Sequence, residues 1–169
     1  VQDADLATSQ SEFDKALLLY QNVIFSDKLA DYSPEIHRNL QELWMIKIPH
    51  LNSPTPTPHP NDPTEYPRLA AYAYYRIILL HLVRGYEADA ITVFNTLVQK
   101  FPEGNPGYPY VEMANTFMKE YQSTHDIPAS CVAAIQYATD NPEILVPLGS
   151  DYHGWQSHTY KPEDICPFR

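Results

Sequence analysis

Apolar residues recur three and four positions apart along most of the chain, and that spacing predicts a series of helices. Phe13, Ala16, Leu17, Tyr20, Val23, Ile24 and Leu29 share one face, with Ser11 placed as an N-cap and Asp-Tyr-Ser-Pro as the stop. Ser33, Pro34 and Glu35 repeat a start signal, and Ile36, Leu40, Leu43, Trp44 and Ile48 form a second face that ends before Pro49. From Arg68 to Arg84 nearly every residue is apolar or aromatic. Ala70, Ala73, Ile77 and Leu80 make one stripe there and Tyr72, Tyr75, Leu79 and Leu82 another, which predicts a helix covered on more than one side. Ala88, Ile91, Val93, Phe94, Leu97, Val98 and Phe101 predict the next helix, closed by Pro102 and Gly104. Two more follow. Tyr110, Met113, Ala114, Phe117, Met118 and Tyr121 predict a helix over 108–123, and Cys131, Ala134, Ile135 and Ala138 one from Pro128 to Thr139. Convincing alternation with period two is absent, so the fold class expected is all-α.

Three stretches fall outside this pattern. Residues 1–10 are polar and read as a loosely held lead-in. Residues 49–67 are rich in proline and threonine and cannot continue a helix, so they read as an extended surface loop. Residues 143–169 are too interrupted by Pro and Gly for a long helix but carry Leu145, Leu148, Trp155, Ile165 and Phe168; they are expected to wrap back as a cap. A 48-residue helix pair is too small to fold comfortably alone, so 1–48, 49–67, 68–142 and 143–169 are read as parts of one domain of 169 residues.

Charge narrows the partners. With 21 acidic against 11 basic side chains the net charge is −10, and no basic run offsets it, so no nucleic acid is expected to bind. The aliphatic run Ile77 to Leu80 is far too short for membrane insertion. Tyrosine is abundant, 13 residues against 6 Phe and 2 Trp, which points to many half-buried rings whose hydroxyls need partners. The chain starts at Val1, as expected of a mature form after signal-peptide removal or of a piece of a larger protein. Cys131 and Cys166 do not form a CxxC pair; a disulfide between them is favoured, with two separate thiols as the alternative. An extracellular or cell-surface location is expected on that basis.

Candidate chemistry is sparse. Asp151, His153 and His158 form a D-x-H…H cluster, yet no HExxH, CxxC or third spaced His supports a metal. His81 reads as a core histidine, and Cys131 with a distant His is no nucleophile signature. Walker, G-x-S-x-G and G-x-G-x-x-G motifs are missing, so neither catalytic residues nor a cofactor or metal is expected.

The stretch GYEADAITVFNTLVQKFPEG, 85–104, sets Gly85 before a turn, Ala90 small against a neighbouring helix, Phe94 one turn on and Pro102 as a terminator. This resembles the second helix of a tetratricopeptide repeat. Ala16 with Tyr20 and Val23, and Ala133 with Tyr137, repeat the interval more weakly, while Ile78 and His81 depart from the family pattern. The resemblance implies helix pairs over 68–142 stacked as antiparallel hairpins, with first helices lining a groove for a protein or peptide. Matched position by position, that face holds Tyr72, Tyr75 and Leu79, then Glu112, Asn115 and Lys119. It implies a non-catalytic interaction scaffold, and the negative charge favours a cationic or polar partner. The alternatives are self-assembly into oligomers or a filament through the ends of the array, and an accessory ligand- or metal-binding domain.

Overall fold

The computed structural model describes residues 1–30, 65–149 and 159–168, and every regular element within them is helical. The order is α1 (Gln2–Ser9), α2 (Phe13–Ala30), α3 (Glu65–Val83), α4 (Glu87–Lys100), α5 (Tyr108–Thr124) and α6 (Ile127–Asp140). A 3-10 turn, Pro142–Leu145, then runs into the single turn α7 (Val146–Gly149), and a second 3-10 turn covers Pro162–Ile165. The helix expected over 34–48, and the proline-rich stretch up to residue 64, lie outside the described residues.

The polar lead-in is not loose. Ala4, Ala7 and Thr8 fall on one face of α1 and are buried, and α1 packs on α2. Thr8 turns its hydroxyl back to the Ala4 carbonyl at 2.9 Å, so the one polar side chain on that face is satisfied. Asp3 and Asp5 sit in the first turn, where the helix dipole favours negative charge. A pattern search misses such a helix because alanine supplies its buried face.

Ser11 does not cap α2. Its backbone is left-handed, φ 59°, in a tight turn where the Ser11 N–H donates to Thr8 and the Glu12 N–H to Ala7. The chain then re-enters a helix at Phe13. Helix α3 begins at Glu65, earlier than Arg68, because Pro67 falls in the first turn, where no intrahelical acceptor awaits its missing N–H.

Helix α3 is the centre of the molecule. It packs against α2, α4, α5 and α7, and residues 70 to 80 are all buried. Edge-on aromatic pairs knit it to its neighbours: Tyr72 to Tyr110 on α5 with centroids 5.8 Å apart, Tyr75 to Phe117 at 6.1 Å, and Tyr74 to Phe101 at 6.0 Å. The turn into α4 needs Gly85, whose φ of 79° is a conformation other residues adopt only with strain. Helix α4 then lies back on α3 and buries Ala90, Leu97 and Phe101. Phe94 is half-buried there and packs against the core.

Helix α5 ends at His125, which is left-handed, and Asp126 starts α6 by accepting the Ala129 N–H at 3.1 Å. The described parts of the tail pack back on the helices. Leu145 and Leu148 are buried, the Tyr110 hydroxyl donates to the Ile144 carbonyl, and Pro162–Ile165 packs on α6. Among the described residues no helix is long and apolar enough to cross a membrane.

Candidate functional site

Arg76 is a charged residue in a helix buried on all sides, with 1% of its side chain exposed. Tyr72 lies four residues before it, on the same face of α3, and donor and acceptor meet at 3.0 Å between Nη1 and the Tyr72 hydroxyl. From the chain's other end come two backbone carbonyls: Nη1 also donates to Asp164 O at 2.9 Å and Ile165 O at 3.2 Å. From α1 comes the counter-charge, Asp5 Oδ1, 3.4 Å from Nη2. The guanidinium also stands over the rings of Tyr20 and Tyr72, 5.7 Å from each centroid.

Asp5 is the other hub. Its Oδ1 accepts from the Tyr20 hydroxyl and from Tyr72 at 3.1 Å, and its Oδ2 accepts from Tyr160. One carboxylate thus gathers hydroxyls from α2, α3 and the C-terminal segment. Burial pushes the Tyr20 hydroxyl far above its ordinary value; Arg76 pulls it back and Asp5 pushes it further up. Tyr160 is raised in the same way by burial and then by Asp5, and Tyr72 by burial against the pull of Arg76. Burial works against the Arg76 charge, but Tyr72, Tyr20 and Asp5 around it outweigh that and keep it above its ordinary value.

Every hydroxyl here is a protonated donor and the carboxylate is already spent as an acceptor. The polar groups of the cluster are thus turned toward one another. What it does is tie both ends of the described chain to the central helix. Beside it opens a cavity of about 630 Å³ whose wall includes Asp3, Asp5, Arg76, Tyr160, Glu163 and Asp164. Asp3 and Glu163 are exposed carboxylates on its rim.

The face expected to line a groove divides in two. Tyr72, Tyr75 and Leu79 are fully buried, which corrects their placement on a partner-facing surface. The reason is packing: α5 lies on that side of α3, so Tyr72 meets Tyr110 and Tyr75 meets Phe117, while the Tyr72 hydroxyl reaches Asp5 on α1. Glu112, Asn115 and Lys119 are exposed along one side of α5, and Glu112 accepts from the Tyr137 hydroxyl at 3.1 Å. Cys131 and Cys166 are joined in a disulfide with Cα atoms 5.4 Å apart.

Asp151, His153 and His158 lie outside the described residues, and among the described ones no group of three or more His, Cys, Asp or Glu could hold a metal. The cluster of Asp5, Tyr20, Arg76 and Tyr160 was missed by sequence reasoning. One signal for it existed, since an arginine inside LAAYAYYRIILLHLV must find a counter-charge or acceptors. Compared with protein-family models, with curated proteins and with solved structures, the chain matches none of them.

Proposed function

We propose that the protein is a non-catalytic interaction scaffold of tetratricopeptide type that works outside the cytoplasm. The observation that carries this reading is the order of packing: α3 lies on α4, α5 lies on α6, and α3 and α5 also lie on each other, as in a succession of helix pairs. The disulfide favours an oxidising compartment. The partner is a cationic peptide or protein segment, drawn by the net charge of −10 to the exposed side of α5 that carries Glu112, Asn115 and Lys119.

Calorimetric titration with a lysine- and arginine-rich peptide and with an acidic peptide tests it. The cationic peptide should bind, bind less as salt is raised, and bind less to Glu112→Lys. If neither peptide binds at high protein concentration, the reading is withdrawn. For the location, thiols are titrated under denaturing conditions in protein from its native source; two reactive thiols per chain would remove the extracytoplasmic assignment.

A specific observation favours self-assembly as a second reading. Ile91 and Val98 on α4 are each 40% exposed, with half-buried Phe94 between them, so one side of the helix offers water an apolar stripe. Light scattering decides this: assembly that Val98→Lys abolishes supports it, and a strict monomer at high concentration removes it.

A further inference from the structure

The C-terminal segment 159–168 lies on the helices as a bound peptide would. It contributes no long helix, and its side chains split into anchors and exposed positions. Tyr160, Ile165 and Cys166 are buried, while Lys161, Glu163, Asp164 and Pro167 are exposed. Phe168 adds an edge-on contact with Phe13 on α2, centroids 6.2 Å apart. Arg76 reads this segment through main-chain carbonyls, at 2.9 and 3.2 Å, a contact indifferent to side-chain identity. Asp5 reads a tyrosine hydroxyl. The surface beneath belongs to helices that pack on one another without the segment: α3 on α2, α4 and α5, and α5 on α6. Among the described residues, a single covalent bond holds the segment to the helices, Cys131–Cys166, and it adjoins the Ile165 carbonyl that Arg76 holds.

We propose that residues 159–168 form a strap released by reduction, and that the surface it covers is a groove for an extended peptide. Such a peptide carries a tyrosine for Asp5 and, five residues on, an aliphatic side chain for the Ile165 site. The reductant is a dithiol. Its thiolate attacks one cystine sulfur and expels the other, and its second thiol then resolves the mixed disulfide. Two electrons and two protons pass to the protein, Cys131 and Cys166 become thiols, and the dithiol leaves as a disulfide. With the cross-link gone, the described contacts between strap and helices are all non-covalent, and the strap stays tethered through its own chain. The strap's own chain then competes with a peptide from outside for Arg76 and Asp5.

Release is tested on the full chain, oxidised and after dithiothreitol without denaturant, by a brief chymotrypsin pulse read by mass spectrometry. Cleavage after Tyr160 requires that buried ring to leave its site. Loss of the cross-link raises the open population, so cleavage there should speed up by roughly 100-fold while Tyr72 and Phe117 stay uncut. Unchanged resistance at Tyr160 with two thiols titrated, or cleavage spreading to Tyr72 and Phe117, overturns the strap.

What enters the groove rests on the scaffold reading, and it is tested separately. The full-length variant Cys166→Ser/Tyr160→Ala/Ile165→Asp cannot re-seat its own strap. With its helix content unchanged by circular dichroism, it should bind a labelled peptide of residues 159–168 that has serine in place of Cys166. Oxidised wild type should not bind it. Rapid cleavage without peptide binding keeps the strap and overturns the groove; binding to both proteins overturns the coupling between them.

Discussion

At Arg76 a full positive charge is held where 1% of the side chain meets solvent, and its partners come from α1, α2, α3 and the C-terminal segment. Arg76→Met keeps the aliphatic stem but leaves Asp5 without its counter-charge and two carbonyls without their donor. The expected loss is about 3 kcal/mol, seen as a lower urea midpoint. The double variant Asp5→Asn/Arg76→Met should lose less than the two single losses added, since the pair acts as a unit; additivity would show that the two groups do not couple. The tyrosines around the pair set an alkaline limit. Tyr20, Tyr72, Tyr75, Tyr110 and Tyr160 all have hydroxyls raised above the ordinary 10.0, in each case first by burial. A raised folded value means that stability is intact below about pH 10, where the unfolded chain begins to ionise, and falls as pH climbs further. Phenolate absorbance should thus rise in two steps, exposed tyrosines first and the buried set together with loss of helix. A single smooth step at ordinary pH would contradict this burial. Of the residues in the cluster, Arg76 was legible as a charge in an apolar helix, whereas Asp5 looked like any acidic residue in a polar lead-in.

The helices themselves were largely written in the spacing of apolar residues, and their ends were written in local chemistry. Pro128 and the run that follows it point to α6, and Asp126 supplies the cap two residues before that proline. Asp126→Ala should therefore cost about 1 kcal/mol in thermal or urea unfolding. Gly107 is different, because its need for glycine arises between elements. Its φ of −80° suits any residue, but a Cβ there would lie 2.7 Å from Phe101 Cδ1, 2.8 Å from the Pro67 carbonyl oxygen and 2.9 Å from Ala71 Cβ. Backbone and two packed side chains cannot all give way, so Gly107→Ala should destabilise by roughly 1–3 kcal/mol, more than the same change at a solvent-facing site. A stability within error of wild type would mean that the loop 101–107 stands farther from α3 than described. Helix α1 escaped notice for the opposite reason: its buried face is made of Ala4, Ala7 and Thr8, too weakly apolar to stand out from a loop.

Across the whole molecule, Cys131–Cys166 closes a loop with a separation of 35 residues and fastens the tail to α6. Replacing both cysteines by serine should lower stability by roughly 3–4 kcal/mol, measured by urea unfolding, with the helix signal of the native state retained. If helix content collapsed instead, the tail would be part of the folding core. The all-α class, the central helix covered on more than one side and the pairing of the two cysteines were readable from one chain. They depend on period, composition and count, which act over short stretches or admit a single pairing. The fate of Tyr72, Tyr75 and Leu79 was not readable. A helical face states only that it is apolar, and whether a neighbouring helix or a partner covers it depends on how α5 crosses α3. The same holds for the meeting of Asp5, Arg76 and Tyr160. Residues 5 and 160 carry no mutual signal along the chain, and the low-dielectric interior that makes their hydrogen bonds matter exists only once the helices have closed around it.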